Sequence, residues 1–192
     1  MKEPVRRSSA RRVAMAGVAL AAASAVLAPP AVAQAEISPA ACANPGQVLV
    51  NPGFESGPTG WDGADWSIHT WTGDAAPRTG SWSAWLGGTA APTVESLRQT
   101  VTIPAGCTNS TLSVHVKIDT AETLPVAYDT LTVKVGSTVV GRFSNVDKGD
   151  YRLRSFNVGA FAGQTVTVSF TSREDWDVQT SFILDDVALT TG

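Results

Sequence analysis

The chain has 192 residues, 16% of them charged, and a formal net charge of −3 at neutral pH. Five of its 14 basic residues fall within the first 12 positions, so from Glu36 onward nine Lys and Arg face 16 Asp and Glu, a net charge of −7. An acidic chain with no run of basic residues has no electrostatic reason to condense on a phosphate backbone, which argues against nucleic acid as a partner.

Lys2, Arg6, Arg7, Arg11 and Arg12 precede an apolar stretch of small residues from Val13 to Ala28, and Ala31-Val32-Ala33 fits the small-x-small cleavage rule. Residues 1–35 therefore read as a secretory signal peptide, and the expectation is a secreted, extracellular protein. The apolar stretch is shorter than the roughly 20 residues of a membrane span and ends at Pro29-Pro30, so no membrane anchor is expected. Arg11-Arg12 leaves the twin-arginine route open beside general secretion. The 157 residues that remain suit one domain and a monomer.

Residues 36–46 form an irregular lead-in, broken by Pro39, Pro45 and Gly46. Cys42 lies in it, and Cys107, the second of two cysteines, follows 65 residues later. In an exported chain such a pair reads as a disulfide, worth about 4 kcal/mol as an upper figure in the chain-entropy account. Gln47 to Asn51 begins the sheet, and Pro52-Gly53 and Gly57-Pro58 bracket Phe54-Glu55 in a sharp turn. Trp61 reads as a core plug. The alternation of Trp66, Ile68 and Thr70 against Ser67, His69 and Trp71 predicts a strand, and Ser81 to Gly87 predicts another.

Ser96–Ile103, Thr111–Asp119, Thr130–Val135, Thr138–Phe143, Tyr151–Val158 and Thr165–Phe170 each alternate apolar with polar residues, and Gly136-Ser137 is a hairpin signal. About ten short strands, with no helical period, make the chain all-β, with two antiparallel sheets packed face to face over residues 47–190. The last strand, Ser181 to Leu189, reads SFILDDVAL. It is apolar on both faces, as a central strand is, with Ile183, Asp185, Val187 and Leu189 predicted on one side. Two carboxylates in such a strand need partners. Glu55, at the other end of the domain, offers a second hard oxygen donor, and the pair points to a structural cation.

The series NPGFE…GW, TGSWSAWLG, LRQTVTIPAG and FILDDVAL resembles the galactose-binding-like jelly-roll domains, in particular calcium-containing carbohydrate-binding modules. With IDTAE and AFAGQTV added, it also resembles the accessory C-terminal β-sandwich of secreted actinobacterial peptidases. The resemblance covers residues 47–190. It implies a jelly roll with calcium held by Glu55 and Asp185, Asp186 as a further ligand, and backbone oxygens near Asn51 and Gly80. It also implies a polysaccharide or glycan as partner, or else an exported peptidase served by an accessory domain.

Catalysis finds little support, because His69 and His115 come with none of the usual nucleophile or metal motifs. Carboxylate pairs such as Glu174 and Asp175, or Asp119 and Glu122, read as solvated loop acids or calcium ligands rather than as a glycosidase pair. The chain is thus expected not to be an enzyme. Binding reads more strongly, since indole faces stack on sugar rings and five of the six tryptophans fall between residues 61 and 85. One of Trp66 and Trp71 should face outward, at least one of Trp82 and Trp85 should fill the core, and Trp176, among Glu174, Asp175 and Asp177, should be exposed. Trp176, Trp71 and Trp66 are the candidate ligand-binding residues.

Overall fold

The computed structural model describes residues 41–192, so the signal-peptide reading and the first five residues of the lead-in lie outside the described residues. Eleven strands follow in order: β1 (Gly46–Gln47), β2 (Asp62–Gly63), β3 (Ile68–His69), β4 (Ser83–Gly87), β5 (Thr93–Thr102), β6 (Thr111–Thr120), β7 (Thr130–Val135), β8 (Thr138–Ser144), β9 (Gly149–Asn157), β10 (Thr165–Glu174) and β11 (Thr180–Thr191). One sheet runs β3-β4-β11-β6-β9 with β1 also on β11, and the other runs β2-β5-β10-β7-β8. Every pairing is antiparallel. The expected all-β sandwich is present, with β11 central in its sheet and the first and last strands side by side.

Alternation decides what lies between the sheets. Leu97 and Val101 of β5, Leu112, Val114, Val116 and Ile118 of β6, and Val168 and Phe170 of β10 point into a single core around Phe54, Trp61 and Phe182. Phe54 and Trp61 pack with ring centroids 5.2 Å apart, and Trp61 is 3% exposed, the core plug read from sequence. Cys42 and Cys107 are bonded at the end of the sandwich where β5 ends and β6 begins.

Two local readings are corrected. Trp66 to Trp71 is not a continuous strand, since Asp65–Ser67 is a 3-10 turn and only Ile68–His69 pairs with β4. The Ser67 N–H returns to the Ala64 carbonyl, a local bond that replaces the ladder bond a strand would need.

The second correction is in β11. Its register against β6 shifts between Asp185 and Ala188, and Asp186 sits at φ 47°. This bulge adds one residue and reverses the alternation. Phe182 and Leu184 face the core before it, and Val187 and Leu189 after it, so Val187 and Leu189 do not share a face with Ile183 and Asp185.

Candidate functional site

Asp185 is fully buried, on the side of β11 away from the core. A chain segment, residues 70–82, is strapped across that outer face, and carboxylates hold it down. Asp185 accepts the backbone N–H groups of Arg78 at 2.7 Å and Thr79 at 3.0 Å through one oxygen, and that of Asp186 at 2.7 Å through the other. Asp186 takes the Arg78 guanidinium at 2.6 Å and the Thr79 hydroxyl at 2.7 Å. Glu55 takes the N–H groups of Ser81 at 3.0 Å and Trp82 at 3.1 Å.

Further along, the Ser83 hydroxyl donates to the Ala75 carbonyl at 3.2 Å and Tyr151 donates to Ala76 at 3.0 Å. The partners that the buried acids need are therefore supplied chiefly by neutral backbone donors. These bonds do not fully offset desolvation, and burial pushes the Asp185 carboxyl above its usual range. The Tyr151 hydroxyl is pushed up by burial as well, with the Asp185 charge adding to the effect.

The same geometry bears on the cation. Glu55, Asp185 and Asp186 are three carboxylates against one guanidinium, an excess of negative charge built from hard oxygens. A β-carbon at Gly53 would meet both Asp186 Oδ1 and Glu55 Cγ at 3.9 Å, so these two acids flank one turn. His115 Nδ1, buried without a hydrogen-bond partner, stands 4.0 Å from Asp186. The residue types fit a hard divalent ion. Among the described residues no three His, Cys, Asp or Glu gather around one point, so an ion here would rely on carbonyl oxygens as well. Asn51 serves the turn itself: at φ 50°, its amide donates to the Gly57 carbonyl, its Oδ1 takes the Ser56 N–H, and its carbonyl takes the Phe54 N–H and the Trp61 indole.

The tryptophans divide as follows. Trp176 is 85% exposed and Trp66 is 63% exposed, while Trp82 packs against the core. Trp71 is half-buried, donates to the Ser67 carbonyl at 2.8 Å and meets Trp85 edge to face at 5.0 Å. Trp85 leaves its buried indole N–H without a partner. Beside the strap, Trp85, Ile183, Ser181, Asp119 and Gln179 of the sheet side face Thr72, Asp74 and Ala75 of the strap across a cavity of about 240 Å³. It opens at the end of the sandwich where β10 gives way to β11. Trp176 lies in that connection, and the depression that Trp66 lines with Thr93 and Val94 is at the same end.

Gln179, Ser181, Thr72 and Asp74 were not singled out in the sequence, and neither was Arg78, while Asp119 was read there only as a loop acid or calcium ligand. Parity put Asp119 on an outer face, but only the path of the strap makes it the wall of a cavity. Glu174 is not the loop acid expected: it is the buried last residue of β10, and it accepts from the Thr89 and Thr180 N–H groups at 2.9 Å each.

The fold thus defined is an all-β sandwich of two antiparallel sheets. The carbohydrate-binding module TmCBM61, whose structure was solved with beta-1,4-galactotriose, superposes with a TM-score of 0.57 at 15% identity, over 76% of this chain and 99% of that one. The K3 cleaved adhesin domain of Lys-gingipain from Porphyromonas gingivalis W83 does so with a TM-score of 0.52 at 17% identity, over 78% and 100%. At these identities the likeness is one of fold. No family model matches the sequence, and no curated protein matches it. Among the described residues no helix is long and apolar enough to cross a membrane.

Proposed function

We propose that this chain is a secreted, non-catalytic module that binds glycan at the strap cavity. The observation that carries the reading is the meeting of Trp71 and Trp85 beside that cavity. An indole wall matches the apolar face of a sugar ring, and Asp74, Asp119, Gln179 and Ser181 offer hydroxyl partners around its edge. Trp66 and Trp176, exposed at the same end, extend the surface toward neighbouring sugars. The Cys42–Cys107 bond agrees with an oxidising compartment. Glu55, Asp185 and Asp186 are read as holders of a structural calcium that fastens the strap, with Asn51 shaping the turn.

Affinity electrophoresis through neutral polysaccharides tests this. Retardation by one of them, lost in Trp85→Ala and reduced in Trp176→Ala, is the expected result. Unretarded migration in every glycan, with the protein folded, would remove the proposal. The accessory-domain alternative would then be met by co-purification with an exported peptidase.

A further inference from the structure

No basic run follows residue 35, yet the fold assembles a basic face. Alternation that turns Leu97, Leu131, Val133, Val168 and Phe170 inward turns Arg98, Lys134 and Arg173 outward on the five-stranded sheet, and Arg142 joins them from β8. These are four of the nine Lys and Arg that follow residue 35. Register places them close together: Arg98 and Lys134 flank Ser169 from its two sides, Arg142 is opposite Thr132, and Arg173 is opposite Thr130.

Lys134, Arg142 and Arg173 line one shallow depression of about 300 Å³ together with Thr130, Thr132 and Thr171. Among the described residues none of the four has a carboxylate within ion-pairing distance, because the pairs present involve only Arg78, His115 and Asp186. One acid shares the face, Asp62 at the β2 edge, opposite Arg98. Glu95 and Glu174, on the same sheet, are buried beneath it. In a chain that is acidic overall, this separation of charge needs a cause.

We infer that the outer face of the five-stranded sheet binds an acidic polysaccharide, one whose sugars carry carboxylates. One unpaired cation on each of four neighbouring strands matches an anionic group recurring along an extended polymer that crosses the sheet. Between and beside them the surface is a ladder of hydroxyls, including the cross-strand pairs Thr100–Thr167 at 2.9 Å and Ser96–Thr171 at 3.0 Å, which suits sugar hydroxyls. Tyr, Trp and Phe are missing from the outward positions of β5, β7 and β10, and the exposed Trp66 stands only beside Arg98 at the β2 edge, so bases would find no stacking platform along Lys134, Arg142 and Arg173. The inference rests on the glycan-binding reading but uses the opposite sheet from the strap cavity.

The experiment is affinity electrophoresis at low salt in polygalacturonate, in its fully methyl-esterified form, and with duplex DNA. Retardation by polygalacturonate should disappear on esterification and weaken by about tenfold for each of Lys134→Glu, Arg142→Glu and Arg173→Glu. The same variants should keep any neutral-glycan binding, and Trp85→Ala should keep polygalacturonate binding. That crossed pattern separates failure of this face from failure of the cavity. Equal retardation by the methyl ester, equal or tighter binding of DNA, or charge-reversal variants that bind as the parent does would each overturn the inference.

Discussion

Gly80 lies so close to Glu55 that a β-carbon at position 80 would overlap the glutamate carboxylate. The contact exists because Glu55 reaches past Gly80 to the N–H groups of Ser81 and Trp82. Gly80 also has φ 63°, where any β-carbon is strained.

Gly80→Ala should therefore destabilise twice over. Left-handed backbone alone costs about 1–3 kcal/mol for a residue with a side chain. Gly73, on the same strap, also has φ 63° but nothing within 4 Å of its β-carbon position, so Gly73→Ala isolates the backbone cost. Urea unfolding of both should show Gly80→Ala losing clearly more. Equal losses would mean that Glu55 gives way and does not clamp the strap.

The bulge at Asp186 makes a second prediction. Deleting Asp186 removes the extra residue, so simple alternation alone then keeps Phe182, Leu184, Val187 and Leu189 on the core face. The deletion should therefore still fold cooperatively, as read by near-ultraviolet circular dichroism and a melting scan, and lose only the bonds of Asp186 to Arg78 and Thr79; a chain that no longer melts cooperatively would show that the bulge itself is needed to hold the strand. Asp186→Gly keeps the extra residue and the positive φ and loses the pair with Arg78. Since both partners of that pair are partly exposed, it should cost no more than about 1 kcal/mol.

Much of the fold was legible because alternation is local. The two strands around Gly136-Ser137 lie where the sequence put them, with β8 one residue longer. The bulge was not legible, because SFILDDVAL alternates acceptably in either phase and only the need to cover Asp185 selects one. The exposure of Trp176 could be read from its acidic neighbours. The strap could not, since Arg78 and Asp186 are 108 residues apart and nothing in either segment names the other. The basic face escaped notice for the same reason: strand pairing, not chain order, gathers Arg98, Lys134, Arg142 and Arg173.

Buried acids set an unusual response to pH. Burial raises the carboxyls of Asp185 and Glu95 above their ordinary values, although backbone donors, Gly87 for Glu95, act in the other direction. A folded-state pKa above the unfolded one means that the folded chain holds protons more tightly. These groups therefore weaken the fold above their folded pKa, and the penalty fades as pH falls toward the ordinary carboxylate range. Glu95→Gln, which keeps an acceptor for the Gly87 N–H, should melt higher than the parent at pH 7, and the gap should close near pH 4. A gap independent of pH would assign the effect to packing.

Metal removal gives the fourth test. If calcium joins Glu55 and Asp186 to the strap, excess chelator should lower the melting temperature, and calcium at 100 times its dissociation constant should restore about 2.7 kcal/mol. Asp186→Asn should abolish the response. A melting curve indifferent to both chelator and calcium would leave the strap held by hydrogen bonds and Arg78 alone.

The cystine between residues 42 and 107 closes a ring of chain that contains β1 to β5 and the exposed turn Thr89–Pro92. A protease that nicks this turn would yield two fragments still covalently joined, and each would keep its strands in the ladders of β10 and β11. Such a clipped molecule should migrate as one species until reduced, so a cut there is not by itself an end to the protein's working life.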